Sequence, residues 1–419
     1  MCAGLFLCSS DRFLAADLGG LTLKPSYVLL GAAAALGAAR EVVRPGLPLR
    51  SAVPGLLPVL AALVAVYLVA STTATSKLLA VTQLVVIVGG ALLPFLAIGL
   101  GLRHRVDVDR GLTALFAGTL TAATFGFYQF AAATLGLPIP GGLAYAGAVD
   151  GVGRISAWSY EPAFYVFHLE LTLALAVGDV LAGRRRFGVR PEVPAAYLLL
   201  SLVLANARIG FLSFPILLLL VLRASSDRRR LDPRAMRVVR LGAGAIVAAV
   251  LVGLPFGVNL PSYVAARVAS VADTQEAESN AVRVDLYGTE LDLAKDRPLL
   301  GYGPGNIGLE LVELIPAYAG APPQTAPANN LLLQAVLDAG VASLLLTVAF
   351  VAVVVRSALR NRSRDARLLF AGAAAILLVN AMTASLFWDL RLWAVLGLAY
   401  AAARTTALER PVRPSPRPS

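Results

Sequence analysis

Long apolar runs separated by short polar loops govern what this chain can fold into. They fall near 22–39, 51–70, 78–101, 111–136, 161–182, 193–206, 209–222, 238–256, 329–355, 367–386 and 390–403. Backbone that enters hydrocarbon must satisfy its N–H and C=O groups internally, so such runs become helices. About 20 helical residues cross the bilayer core. The sequence therefore reads as an all-α polytopic membrane protein with about 11 (10–12) transmembrane helices. Residues 1–20 are too short and too polar for a clear span. A half-helix and a twelfth, truncated span are both open for them.

Composition narrows the class. Of 419 residues, 58% are hydrophobic and 15% are charged, where a soluble domain carries about 25% charged residues. This excludes a soluble enzyme, a disordered protein and a disulfide-stapled secreted domain. Cys2 and Cys8 are the only cysteines, too few for a Cys-rich zinc site or a disulfide framework. Leu5-Phe6-Leu7 before Cys8 lacks the small residue of a lipoprotein cleavage site. Asp11 and Arg12 cut the first apolar stretch short, so no cleaved signal peptide is read there.

The net charge of +11 would suit nucleic acid, but its distribution points to topology. Alternate loops hold Arg40, Arg44 and Arg50; Arg103, Arg105 and Arg110; Arg184, Arg185, Arg186 and Arg190; and the run from Arg223 to Arg240. Arg356, Arg360, Arg362, Arg364 and Arg367 follow, then Arg404 and the tail arginines. Basic loops stay in the cytoplasm, so these loops and the C-terminus are expected inside, in a plasma (inner) membrane. No nucleic-acid partner is expected.

The other side receives Arg12, Lys24, Lys77, Arg154, Arg208, Arg267, Arg283, Lys295, Arg297 and Arg391. Lys24, Lys77, Lys295 and Arg297 read as solvated loop residues. The largest insert, 257–328, is also on this side and carries nine acidic residues against four basic ones. It is too long for a mere connector. Its helix-like stretches, Pro261–Ser279 and Ala281–Asp296, suggest a helical extracytoplasmic cap. The expected organisation is 1–256, N-terminal membrane helices; 257–328, the cap; 329–403, C-terminal membrane helices; and 404–419, a disordered cytoplasmic tail.

Four motifs could carry chemistry. In the first, Arg283-Val-Asp-Leu-Tyr287 precedes Pro298-Leu-Leu-Gly301-Tyr-Gly303-Pro-Gly305-Asn306. Alternate glycines permit a tight turn, which could be a structural kink or an anion nest. No Gly-Lys-Ser/Thr follows, so a P-loop is excluded. In the second, Asn329-Asn330 opens the ninth run, and Asn330, Gln334 and Asp338 share one helical face. Asp338 lies roughly two turns deep. An intramembrane carboxylate is a functional candidate, or it pairs with a polar side chain of a neighbouring helix.

The third motif is Asn206-Ala-Arg208-Ile-Gly-Phe-Leu212. Arg208 could snorkel to headgroups or clamp a phosphate bidentately. The fourth is Arg154-Ile-Ser-Ala-Trp158-Ser-Tyr160-Glu161-Pro162. Trp158 and Tyr160 suit an interfacial belt, and Glu161 is either a helix cap or a catalytic carboxylate. His168 and Glu170 are two apart, so they point to different faces. Asp107-Val-Asp109 lies among arginines on the inner side and reads as loop charge. No metal site and no cofactor is expected.

The order of these pieces resembles the O-antigen ligase/O-antigen polymerase family (Wzy and WaaL type). The likeness runs from about Arg154 to the end of the ninth span. It rests on the Arg-x3-Leu start at Arg208, the Arg283 helix, the Pro-Leu-Leu-Gly-x-Gly-x-Gly-Asn turn and the Asn330…Asp338-x-Gly340 helix. The resemblance implies transfer of a glycan from undecaprenyl diphosphate at the outer face of the membrane. It implies that Arg208 and Arg283 hold the donor diphosphate, with Arg154 a third candidate. It further implies that Gly301, Gly303, Gly305, Asn306, Asn329 and Asn330 shape the substrate site. The expected partners are the lipid-linked oligosaccharide and membrane lipids, with other polysaccharide assembly proteins as candidates.

One departure bears on the chemistry. Many family members have His-Asn where this chain has Asn329-Asn330. Asparagine does not titrate and cannot act as a base. Either a carboxylate serves instead, with Glu161 and Asp338 as candidates, or stabilisation of the leaving group suffices, or the enzyme is impaired. The departure weakens a ligase assignment more than a polymerase assignment. The expected function is polymerisation of surface-polysaccharide repeat units. The alternatives are a ligase that moves a finished glycan to another acceptor, and a lipid-glycan flippase or transporter.

Overall fold

The computed structural model describes residues 1–9, 16–18, 21–43, 53–140, 148–149, 152–159, 161–186, 188–225, 278–315, 328, 330–383 and 387–408, with single helical positions at 242, 244, 247, 262 and 265. Most of the apolar run 238–256, most of the helix-like stretch 261–279, Tyr160, Asn329 and the tail beyond 408 lie outside the described residues.

The chain opens with α1 (Cys2–Phe6), a 3-10 turn (Leu7–Ser9) and a hairpin of β1 (Ala16–Leu18) with β2 (Leu21–Leu23). Five helical residues rise about 7.5 Å, far short of a span. Helices α2 (Pro25–Val43), α3 (Leu56–Thr73) and α4 (Lys77–Val86) follow. A π turn (Ile87–Leu92) over Gly89-Gly90 leads into α5 (Leu93–Gly101). Then come α6 (Arg105–Leu135) and a second short hairpin, β3 (Ala148–Val149) with β4 (Val152–Gly153). The rest is helical: α7 (Pro162–Ala182), α8 (Glu192–Ala205), α9 (Arg208–Ser225), α10 (Glu278–Asp296), α11 (Ile307–Leu314), α12 (Leu331–Arg360), α13 (Arg364–Thr383) and α14 (Leu390–Leu408).

The two hairpins qualify the all-α expectation at its margin. Six described helical stretches are long and apolar enough to cross a membrane: 56–73, 77–101, 105–135, 162–182, 208–225 and 331–360. Helix α8 is shorter than a span. Its 14 residues reach about 21 Å, less than the hydrocarbon thickness of about 30 Å. Helix α14 outlasts the run that announced it. Arg404, expected in the tail, is buried within it and donates to the Gly99 and Leu100 carbonyls, both at 3.4 Å.

Helices α7, α13 and α14 are apolar nearly all round and form the centre of the bundle. Helix α13 packs against α7, α9, α12 and α14, while α3 and α10 pack against α12. A Cβ on Gly178 would strike Leu368, so glycine lets α7 and α13 approach closely. A smaller second core sits on the first half of α12. There Leu286, Leu293, Tyr302, Ile307 and Leu311 meet Val336 and Leu337. The helices of the insert thus have their own apolar anchor.

Charge separates the two ends of the bundle. At the basic end, Asp365 accepts from Arg105, Arg184 and Arg186. Arg186 also grips Asp179 at 2.8 Å, and Arg184 reaches Asp109 at 3.2 Å. Arg367 donates to the Ala224 carbonyl. Loops read from sequence as one side therefore converge. The opposite end, called the cap end below, gathers the glycine turn, the start of α12, the 154–161 loop and the 387–389 turn.

Candidate active site

Helix α12 begins at Asn330, whose Oδ1 accepts the N–H groups of Leu332 (2.8 Å) and Leu333 (3.2 Å). This is ordinary N-capping. Two turns later the helix breaks. Ala339 has φ −150° and ψ 24°, and Gly340 has φ 76° and ψ −173°. Broken backbone at such depth needs new hydrogen-bond partners, and the 298–302 turn supplies them. The Tyr302 N–H donates to the Leu337 carbonyl at 2.7 Å, and the Val341 N–H to the Pro298 carbonyl at 2.8 Å.

Only glycine fits at two positions of this splice. A Cβ on Gly340 would overlap the Leu299 carbonyl, and one on Gly301 (φ 61°) the Leu337 carbonyl. Of the alternate glycines read from sequence, Gly301 is thus required by this close backbone crossing.

Asp338 sits at the break, fully buried. Its Oδ1 accepts the Gly305 N–H at 3.2 Å, and its Oδ2 accepts Gln334 Nε2 at 2.6 Å. The Tyr67 side chain stands close to the same carboxylate. Asn306 locks the far side of the turn. Its Oδ1 accepts the Ser76 N–H at 2.6 Å, and its Nδ2 donates to the Pro304 carbonyl. The N–H groups of Gly301, Tyr302, Gly305 and Asn306 are all engaged within the protein. The turn is a wedge between α12 and the α3–α4 connection, and these four groups do not form an open anion nest. Arg297, read as a solvated residue, lies over the Tyr302 ring at 4.5 Å.

A second group stands on the α6–α9 side of the cap end. Asn206 ends α8 in the left-handed conformation (φ 46°), which asparagine tolerates. The chain then turns through Ala207 into Arg208, the first residue of α9. Helices α9 and α12 both pack on α13, so Arg208 and the Asn330–Asp338 segment head two helices that flank it. Arg154 follows β4 and is half-buried. Glu161 takes the N-cap position of α7 with extended backbone, but its side chain makes no capping bond and is exposed. The capping role open to it from sequence is not realised. Arg283 lies in α10, and its side chain falls outside the described residues, as does Asn329.

Two anchors of this group were not singled out from sequence. Ala157 has φ 50°, a costly conformation for a residue with a Cβ. Gln129 on α6 holds it there. Gln129 Oε1 accepts the Ala157 N–H at 2.7 Å, and its Nε2 donates to the Ala157 carbonyl at 2.9 Å. Buried Arg391 forks onto Asp389 at 2.7 and 2.6 Å and also donates to Ser159 Oγ and the Phe164 carbonyl. Burial works to raise the Asp389 carboxyl, but the Arg391 guanidinium prevails and holds it at about 2. The backbone between Arg154 and Glu161 is thereby held at Ala157 and Ser159. A basic residue among few on its side was the signal for Arg391, and nothing in the sequence marked Gln129.

His168 and Glu170 do turn to different partners. His168 Nε2 meets Thr119 Oγ1 on α6 at 2.9 Å, and Glu170 accepts from Ser213 on α9. Asp107 and Asp109 pair with Arg110 and Arg105 on their own helix.

No curated protein gives a significant match to the chain. Residues 193–348, which run from α8 through the glycine turn to the broken helix α12, match the family model described as O-antigen ligase (Wzy_C). Over that stretch the chain is similar to the O-antigen ligase family.

Proposed function

We propose that this protein polymerises repeat units of a surface polysaccharide from undecaprenyl-diphosphate-linked donors at the outer face of the plasma membrane. The observation that carries this reading is the matched stretch 193–348. It contains Arg208, Arg283, the glycine turn and the head of α12, and leaves Arg154 and Glu161 just upstream. In this reading the cap end is extracytoplasmic, and the basic end faces the cytoplasm by the positive-inside rule.

The donor keeps its lipid in the bilayer and its charge at the interface. Arg208, Arg283 and Arg154 receive the diphosphate. As the sugar–phosphate bond breaks, negative charge grows on the leaving diphosphate. Guanidiniums already in place stabilise it, at about 3–4 kcal/mol for one well-placed donor, without a metal ion. In this reading Glu161, whose carboxylate is exposed and makes no capping bond, takes the proton of the acceptor hydroxyl. Asp338 has one oxygen committed to the Gly305 N–H and the other to Gln334, so in this reading its role is to position the turn. An open groove of about 460 Å³, lined by Leu120, Phe125, Tyr128 and Trp158, lies beside the Arg154 loop and offers a surface for the lipid chain.

Ligation of a finished glycan is the second reading, favoured by the description of the matching family model. Asn329-Asn330 in place of His-Asn favours polymerisation. Gel analysis of surface glycans after gene deletion separates the two. Loss of the ladder with single units retained supports polymerisation. Accumulated lipid-linked polymer means ligation, and monomer units trapped inside mean a flippase. Arg208→Ala and Arg283→Ala are expected to abolish long chains while the protein stays in the membrane. Wild-type chain length in both would remove the site assignment.

A further inference from the structure

At the basic end, a cleft of about 440 Å³ opens between the start of α3 and the ends of α12 and α14. Arg356 and Arg360 line it from the last turns of α12, spaced i, i+4 on one face, and Arg362 lines it from the next turn. Its remaining wall is more apolar than polar, with Val353, Ala403 and Ala407 beside Ser357, Asn361 and Thr406.

These three arginines differ from their neighbours. Arg105, Arg184 and Arg186 at the same end are engaged by Asp365, Asp179 and Asp109. Arg356, Arg360 and Arg362 are exposed and make no hydrogen bond or ion pair with any described residue. The positive-inside rule accounts for their side of the membrane but not for their convergence on one cleft.

The cleft combines guanidiniums at a bundle end with an apolar wall beneath them. That pairing fits an amphiphile whose anion sits at the interface and whose chains lie in the bilayer. Basic pockets between membrane helices recognise lipid phosphates in this way, and guanidinium suits a phosphate oxygen pair. We propose that this cleft binds the headgroup of an anionic phospholipid of the leaflet at the basic end. The site lies at the opposite end of the bundle from the candidate active site and is independent of the polymerase reading.

The test uses the purified full-length protein in neutral detergent. Its thermal unfolding midpoint is followed during titration with cardiolipin, phosphatidylglycerol, phosphatidylcholine or inorganic phosphate. A saturable rise is expected with the two anionic lipids, and none with phosphatidylcholine or inorganic phosphate. Arg356→Gln, Arg360→Gln and Arg362→Gln should each weaken the apparent affinity about fivefold, and the triple variant about a hundredfold. Because these side chains are exposed and have no partner among the described residues, the single variants should unfold like the wild type in phosphatidylcholine. Arg185→Gln with Arg190→Gln removes two exposed charges from the same end and should leave the lipid response unchanged. Three results would overturn the proposal: no saturable response in the wild type, an equal response to inorganic phosphate, or equal weakening in the Arg185/Arg190 variant.

Discussion

Replacing Gly340 by alanine probes the splice on which the candidate site is built. Gly340 sits at φ 76° and ψ −173°, a region open in practice to glycine alone, and holding alanine there costs about 1–3 kcal/mol. The added Cβ would also meet the Leu299 carbonyl. Relief requires the 298–302 turn to retreat, which breaks Tyr302 N–H to Leu337 O or Val341 N–H to Pro298 O. A buried backbone group left unpaired costs about 1–3 kcal/mol more. The sum is about 2–6 kcal/mol. At about 2 °C per kcal/mol for a large chain, the unfolding midpoint should fall by about 4–12 °C. The control is Gly288→Ala, at an exposed position in α10 where a Cβ meets nothing within 4 Å. It should be neutral or gain up to about 1 kcal/mol. Thermal unfolding of the detergent-purified variants reads both. If Gly340→Ala melts within about 1 °C of Gly288→Ala, the reasoning about the broken helix is wrong.

Two further substitutions address the carboxylates. Asp338→Asn keeps an acceptor for the Gly305 N–H and should retain most stability and activity, whereas Asp338→Ala should lose both; an inactive but fully stable Asp338→Asn in a glycan-ladder assay would make Asp338 a catalytic group. Asp389, held at about 2 against an unfolded value near 3.9, contributes stability in full above about pH 4 and loses it as the pH falls through its folded value. Asp389→Asn should therefore lower the midpoint at pH 6 and flatten the acid limb of a pH–stability profile, and an unchanged limb would show that the Arg391 pair is not its source.

Helix identity was legible in the sequence because apolar length and lipid solvation act locally. Ten of the apolar runs became the helices α2 to α9 and α12 to α14, with α4 and α5 sharing one run. The charge pattern was legible for the same reason, and loops assigned to one side do meet around Asp365. The order of the Arg208 turn, the glycine turn and the Asn330–Asp338 stripe was enough to suggest the family. Sequence spacing also put Gln334 against Asp338, since residues four apart on a helix must be neighbours.

Tertiary structure alone decided what these motifs do to one another. Asp338-Ala-Gly340 reads as ordinary helix until the separate 298–302 turn takes up the broken backbone bonds, and the Gly305 N–H that reaches the Asp338 carboxylate lies 33 residues away. The clamp of Gln129 on Ala157 spans 28 residues, and the Arg391 bond to Ser159 spans 232. Periodicity reports which face of a helix is apolar, not which distant carbonyl it will meet. Burial, too, came only with the tertiary structure. A carboxylate is surrounded by protein at Asp338 and exposed at Glu161, at the start of α7.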